Sequence, residues 1–413
     1  MYLSQSRARP EDQAERAEAT PDRGNVVALG FTSLFTDLSS EMVTAILPLY
    51  LTLQMGLTPL EFGAFDGLYQ AVTALVALWA GLAADRWRRH KEVAGLGYGI
   101  SAGCKLGLLA ATGSWVPTAS FLYLDRTGKG VRTAPRDALI SLSSSSGTLA
   151  ESFGVHRALD TIGALLGPVV AFAILVLVPA AYDLVFVSSF CAALVGLGVL
   201  TLFVKNRPAA AAPGSHPRSP VSVRTTVGLL LVPRFRAVLA VGVLLGLLTL
   251  SDAFVYLTLQ RRTALGATWF PLLFVGTALV FLTAAVPVGR LADRVGRARV
   301  FLGGHVLLLA GYAVLLTPAP DLAMILTLLT LLGLYYAATA GVLMAMASAV
   351  VPADQRACGL AVVTTAVAVS KLGASLLFGA LWGRFGSDLA VAAFLAGLAV
   401  AASILARQQP AGP

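Results

Sequence analysis

The sequence predicts an all-α membrane protein, with twelve spanning helices arranged as two pseudo-symmetric six-helix bundles. Three observations point there. Only 12% of the 413 residues are charged while 57% are hydrophobic, and the mean hydropathy is +0.79; a soluble domain carries about 25% charged residues. Apolar runs of roughly 20 residues, the length that crosses a bilayer as a helix, recur along the chain. Short motifs of the first half also return in the second.

Taken in order, the spans fall near 26–52, 59–84, 92–113, 115–138, 150–179 and 182–204. A second set follows near 233–259, 268–291, 298–317, 321–350, 357–382 and 388–407. The first 24 residues alternate Arg with Asp and Glu, contain Pro10 and Pro21, and lack the apolar stretch of a signal peptide. They read as a disordered cytoplasmic tail, and 409–413 as a second one. The Pro-, Ala- and Ser-rich segment 205–225 cannot build a core and reads as a cytoplasmic linker between bundles 25–204 and 226–408. An even number of spans puts both termini on one side. Loops on that side hold Arg86, Arg88, Arg89, Lys91, Arg294, Arg297 and Arg299, against Arg261, Arg262 and Arg384 opposite. The positive-inside rule therefore makes both termini cytoplasmic, in a multi-pass protein of the inner (plasma) membrane.

The formal net charge of +9 implies no nucleic-acid partner, because the basic residues sit in short loops that set topology. Cys104, Cys191 and Cys358 are too few and too apolar in context for a disulfide framework. His90 and His305 are isolated, so no metal role is assigned to them, and no cofactor motif appears. Gly128-Lys129-Gly130 is not a phosphate-binding loop, which needs GxxxxGK[ST] between strand and helix.

Ionisable residues inside the spans carry the functional information. Span 1 contains Asp37 and Glu41, span 2 Asp66, span 3 Lys105, and span 4 Asp125, Arg126, Lys129 and Arg132. Asp160 lies in span 5, Asp252 in span 7 and Lys371 in span 11. Each charge near the bilayer centre costs about 3 kcal/mol, so these groups must pair, face a wet cavity or titrate. Such a set marks a transport pathway.

Asp37 and Glu41 share one helix face at i, i+4 and lie roughly 16 and 22 Å along span 1, at middle depth. Burial and a neighbouring carboxylate both favour the protonated form, so these residues, with Arg126 beside them, are the candidate proton-coupling groups. The bland alternative is a pair permanently neutralised by Arg126 or Lys129. In span 4, Asp125, Lys129, Arg132 and Arg136 recur at i, i+4, i+7 and i+11, one helical stripe that cannot face lipid. Guanidinium groups bind carboxylate and phosphate in a bidentate manner, which points to an anionic or zwitterionic cargo. The alternative is that these cations only pair with Asp37, Glu41, Asp137 and Asp160. Arg136, Arg157 and His156 are placed near the cytoplasmic mouth. The candidate substrate-binding set is Asp66, Lys105, Asp125, Lys129, Arg132, Asp252 and Lys371, with a structural Asp252–Lys371 pair as the competing reading. Tyr50, Tyr69, Tyr256, Tyr335 and Tyr336 either line the cavity or anchor at the interface.

The halves look related. Gly81-Leu-Ala-Ala-Asp85-Arg86 recurs 208 positions later as Gly289-Arg-Leu-Ala-Asp293-Arg294, and Ser40-Glu41 matches Ser251-Asp252 at an offset of 211. Two bundles of six with a substrate site at their interface is a known transporter plan. On these residues the chain resembles the major facilitator superfamily over nearly its whole length beyond the tail. The superfamily's loop between spans 2 and 3 reads G-x-L-A-D-R-x-G-R-[RK]. The copy at 289–297 matches closely, while the first departs at Ala83 and Arg88. The resemblance implies a cytoplasmic gate built from Gly81, Asp85, Arg86, Arg89, Gly289, Asp293, Arg294 and Arg297.

Arg126-Thr-Gly-Lys-Gly130 resembles the R-x-x-x-G element of proton-coupled facilitators. Gly163-Ala-Leu-Leu-Gly167-Pro168 resembles the G-x-x-x-G-P element associated with antiporters, in which small residues permit tight packing and Pro bends the helix. The runs DRTGKGVRTAPRDALIS and FGVHRALDTIGALLGP, with TDLSSEM at 36–42, resemble a bacterial branch of the drug and metabolite proton antiporters. The resemblance implies a monomeric secondary transporter exchanging protons for a small-molecule substrate, most readily outward. One alternative is efflux of a divalent metal or its chelate on Asp37, Glu41, Asp66 and Asp252. Another is a membrane enzyme or receptor, against which stand the short loops and the many titratable groups at mid-depth.

Overall fold

The computed structural model describes residues 22–87, 89–111, 113–145, 148–206, 228–263, 265–352 and 355–408, with backbone alone at 78–87, 150, 356–358 and 408. The tail up to 21, the linker from 207 and residues 409–413 lie outside that set. Among the described residues the long elements are all helices. They are α1 (Arg23–Leu49), α2 (Pro59–Trp87), α3 (His90–Ala110), α4 (Trp115–Leu142), α5 (Leu149–Leu177), α6 (Tyr182–Phe203) and α7 (Pro233–Leu247). Then come α8 (Asp252–Arg262), α9 (Pro271–Val295), α10 (Arg297–Leu316), α11 (Asp321–Val350), α12 (Arg356–Phe385) and α13 (Ser387–Gln408). Ten spans are long and apolar enough to cross a membrane, α7 and α8 together forming one of them. The remaining two helices, α2 and α4, have 29 and 28 residues and are long enough to cross as well; α4 carries the charged stripe. The chain is an all-α multi-pass membrane protein.

Local chemistry sets the helix starts. The Asp22 carboxylate accepts from Asn25 N–H at 3.0 Å and opens α1. At α2, Glu61 Oε2 accepts from Thr58 N–H at 2.9 Å while Thr58 Oγ1 accepts from Glu61 N–H at 3.3 Å, a reciprocal capping box around Pro59. After Pro48, α1 widens into a π-helical turn over Tyr50–Gln54.

Span 7, expected as one helix, is broken between Leu247 and Asp252. The buried Tyr312 hydroxyl of α10 supports the break. It accepts from Leu250 N–H at 2.7 Å and donates to Leu248 O at 3.3 Å. In lipid, freed backbone groups must find such partners. The Ser251 hydroxyl then caps α8 by accepting from Phe254 N–H. Tyr312→Phe strands the Leu250 donor, an expected loss of about 1–3 kcal/mol; thermal unfolding of purified protein checks this, and an unchanged melting temperature removes Tyr312 from the role.

In the first half, α1 packs on α5 and α6, α3 on α4 and α6, and α2 on α4. In the second, α10 packs on α11 and α13, α9 on α11, and α7 on α12. The halves meet along two seams, α2 with α12 and α5 with α9. These exchange under the internal pseudo-symmetry, since span 2 corresponds to span 8 and span 5 to span 11. The tightest contacts lie at the end away from both termini. There Phe62, Phe254, Phe378 and Trp382 form a chain of ring contacts, and Phe172 packs on Trp269 at 5.0 Å between centroids. Towards the terminus-bearing face the walls part around a cavity. Leu177, Leu202, Leu231, Leu322 and Val400 are exposed on the outside, as a lipid-facing surface requires.

Candidate functional site

A cavity of about 410 Å³ lies between the halves at middle depth, walled by Thr44, Asp66, Arg126 and Lys129 of the first half and Asp252 and Lys371 of the second. Asp252, Phe274 and Tyr336 also line a neighbouring space of about 560 Å³, which runs past Glu41, Arg157 and Asp160. Together they fall in the size range of small-molecule sites.

The helical stripe on α4 faces inward, and its members divide between two tasks. Lys105 of α3 and Asp125 of α4, each 1% exposed, pair at 3.0 Å. The contact is electrostatic rather than a well-aligned hydrogen bond. Arg126 lies 3.9 Å from the other Asp125 oxygen, donates to Thr44 Oγ1 at 3.1 Å, and stacks over Tyr69 at 4.2 Å. Arg132, 2% exposed, is held by Asp37 at 3.5 Å, Ser101 Oγ at 3.2 Å and the ring of Tyr98. Lys105, Asp125 and Arg132 line neither space. They stand behind the wall, while Arg126 and Lys129 form part of it.

Lys129 is the hinge of the cluster. Its ammonium lies 3.8 Å from Asp37 and 3.6 Å from Glu41, so the two acids of α1 share one cation. Asp160 of α5 comes within hydrogen-bonding reach of Asp37, and its Oδ1 has no hydrogen-bond partner. Arg136 holds Asp160 at 3.7 Å and Asp137 at 3.0 Å, and Arg157 pairs with Asp160 at 3.3 Å. His156 bonds Ser33 at 2.8 Å. Glycines allow this convergence. A Cβ on Gly163 would collide with the Leu34 carbonyl oxygen, and one on Gly167 would lie 2.8 Å from Glu41 Cβ. The Gly163–Gly167 pair thus lets α5 touch the α1 backbone, with Pro168 following.

In the second half, Asp252 and Lys371 make no ion pair with each other. Asp252 accepts instead from the Tyr336 hydroxyl of α11 at 2.5 Å. Asp66, only 7% exposed, has no cation within ion-pair distance among the described residues. It accepts from Gln70 Nε2 at 3.2 Å and, across the seam, from Ser375 Oγ at 2.9 Å. Ser375, Thr44 and Gln70 were not singled out in the sequence, where a lone hydroxyl or amide in a span looks like helix packing; Tyr336, for which cavity and interface were both open, lines the cavity. Of the expected gate residues, the side chains of Gly81, Asp85 and Arg86 lie outside the described residues. Arg89, Gly289 and Arg294 are placed at the terminus-bearing end, where Arg89 and Arg294 are exposed. Asp293 pairs at 3.0 Å with Arg297 of its own half, and Arg297 also donates to Ala345 O.

Two six-helix halves around a shared polar cavity define a membrane transporter rather than an enzyme. A family model described as Major Facilitator Superfamily matches residues 29–278 and 253–412. The chain belongs to that superfamily. It is 32% identical over 371 residues to an uncharacterised MFS-type transporter of Methanocaldococcus jannaschii, covering 87% of this chain and 88% of that one. It is 31% identical over 178 residues, 43% of this chain and 40% of the other, to an uncharacterised protein of Mycobacterium tuberculosis. Among solved structures it resembles a mutant of the peptide transporter POT, with a TM-score of 0.76, 15% identity and coverage of 92% and 93%. A mutant of the nucleoside transporter NupG gives a TM-score of 0.76, 15% identity and coverage of 92% and 99%. At such identity the likeness is one of fold.

Proposed function

We propose that this transporter exchanges protons for a small zwitterionic organic solute by alternating access, acting as a monomer in the plasma membrane with both termini cytoplasmic. The observation that carries this reading is Lys129 at the cavity wall, shared between Asp37 and Glu41. Protonating either acid changes the charge that Lys129 presents to the cavity. Asp37 faces Asp160 as well, and one proton between two carboxyls removes their repulsion. Lys105, Asp125 and Arg132 position this cluster. Arg126, Lys129, Asp252, Lys371 and Asp66 meet the cargo. Bundles 25–204 and 226–408 are the rocking units, joined by 205–225, and the paired Gly-Asp-Arg loops latch the terminus-bearing face when it closes.

The sign of the linkage narrows the cargo. An anion on Lys129 binds best when Asp37 and Glu41 are protonated, which couples it to protons in the same direction. Exchange requires the cargo to contest the carboxylates with a cationic group of its own, while its anionic group uses Lys129, Arg126 or Lys371. A zwitterion meets both demands. The outward direction rests on the resemblance of the 163–168 element to that of antiporters. Metal efflux has less support: Lys129 holds Asp37 and Glu41, and among the described residues no three His, Cys, Asp or Glu side chains are grouped to hold a metal ion.

A thermal-stabilisation screen identifies the solute, because a ligand of the folded state raises the melting temperature. Proteoliposomes under an imposed pH gradient then test coupling. The solute is expected to move against the proton gradient, and Asp37→Asn or Glu41→Gln to lower coupled flux roughly 10- to 100-fold, equivalent to about 1.5–3 kcal/mol. Movement in the same direction as protons replaces exchange with anion symport. Unimpaired coupling in both variants removes the carrier role.

A further inference from the structure

The seam between α2 and α12 is drawn tight by glycines. A Cβ on Gly63 would overlap the Ser375 carbonyl oxygen, one on Gly67 would lie 2.9 Å from Leu372 Cα, and one on Gly379 would overlap the Pro59 carbonyl oxygen. The two backbones touch. Asp66 sits between Gly63 and Gly67 on α2, so its carboxyl is carried into the joint. Its hydrogen-bond partners among the described residues are neutral: the Gln70 amide on its own helix and the Ser375 hydroxyl of α12 at 2.9 Å. The second belongs to the opposite half, and Ser251, which caps α8, lines the same cavity as Asp66.

Charged and titratable groups around the joint do not neutralise an Asp66 anion by contact. Tyr69 lies on α2, Tyr123 and Arg126 on α4, Asp252 on α8 and Lys371 on α12. Arg126 is committed to Asp125, Thr44 and Tyr69, and Asp252 opposes a negative Asp66. A carboxylate without a cation is disfavoured at a site only 7% exposed, whereas a serine hydroxyl accepts from a neutral acid as readily as it donates to an anion.

We propose that the seam away from the termini closes on Asp66 as the neutral acid, so that Asp66 ties protonation to closure of that face. With the seam open, a proton from water on that side adds to a carboxylate oxygen. The seam then shuts around the acid, with Ser375 bridging the halves. Since Asp66 also lines the cavity, the O–H bond breaks towards water of the terminus-bearing side. This role extends the proton-coupled reading above, but it concerns the gate and is measured without transport.

Spin labels at the exposed Gln54, in the π-helical turn after α1, and Leu389, in the first turn of α13, one per half at the far side, report seam opening in a background with the native cysteines replaced. Raising the pH ionises Asp66 and is expected to enlarge the long-distance population, by up to about tenfold in open-to-closed ratio per pH unit where one proton is released. Asp66→Asn keeps the shape without the charge and is expected to hold the short distance at every pH. Ser375→Ala keeps the carboxyl, removes one bridge, and shifts the wild-type profile without abolishing it. A wild-type distribution indifferent to pH, or an Asp66→Asn profile that titrates like wild type, overturns the proposal. Should Asp66→Asn not fold, Ser375→Ala decides, and a profile superimposed on wild type counts against the role. Proteoliposome coupling that survives a pH-indifferent seam rejects the gate alone and leaves the exchange reading standing.

Discussion

Removing either member of the Lys105–Asp125 pair is expected to be the most damaging single change to this protein. Both side chains are 1% exposed, and neither can reach water to recover its hydration. Lys105→Met leaves the Asp125 carboxylate with Arg126 alone, at 3.9 Å. Asp125→Leu leaves a bare ammonium in α3. Breaking a buried pair costs about 3–5 kcal/mol, against a total stability of roughly 5–15 kcal/mol. Each single variant should therefore lose most of its folded yield and melt far below wild type.

The double variant Lys105→Met, Asp125→Leu should recover much of that loss, because apolar replacement of a buried pair is frequently neutral or stabilising by about 1–4 kcal/mol. Arg126 then keeps Thr44 and Tyr69. Thermal unfolding of the four proteins in one detergent closes the cycle. If the double variant is as unstable as the singles combined, the pair is not an isolated electrostatic unit.

Gly63→Val is expected to arrest the transport cycle while leaving each half folded. The new Cβ would meet the Ser375 carbonyl oxygen in overlap, with Gly379 Cα at 3.3 Å, and both obstacles are backbone. No rotamer change relieves such a clash; only separation of α2 and α12 does. Overpacking of this kind costs about 1–3 kcal/mol or more, and at 1.4 kcal/mol per decade it shifts the open-to-closed ratio roughly 10- to 100-fold. The far-side label distance should lengthen at all pH values and transport should fall accordingly. Gly103→Val is the control, since nothing lies within 4 Å of a Cβ there. Equal transport in Gly63→Val and wild type would mean that the α2–α12 seam does not need to close.

The two substitutions act on different links. The first removes electrostatic compensation within one bundle and lowers stability. The second leaves the charges intact and shifts the balance between two arrangements of the same bundles. Measuring stability and label distance on both separates the effects.

Much of the architecture was legible from the residues. Apolar run length located the spans, and the repeated Gly-Asp-Arg loop revealed the duplication. The spacing of Asp125, Lys129, Arg132 and Arg136 showed that one face of span 4 had to be internal. These signals are local: hydropathy, turn chemistry and helical period act within about a dozen residues of chain. The expectation of a single helix in span 7 failed for the same reason. No proline marks the break, and the group that satisfies its backbone, Tyr312, comes from α10.

Partner choice was not legible. Lys105 and Asp125 both looked able to meet a cargo, yet they close on each other behind the cavity wall. Asp252 and Lys371 looked able to pair, yet Asp252 turns to Tyr336. The amino-acid sequence by itself determined that titratable groups must be buried in two related bundles, because their insertion energy and helical spacing are properties of each segment alone. Only the tertiary structure decided which acid faces which base, and that Asp66 lies in the joint between halves. Those outcomes depend on how far each helix rotates and how closely it approaches its neighbour, and here both are set by glycine contacts between segments remote in the chain.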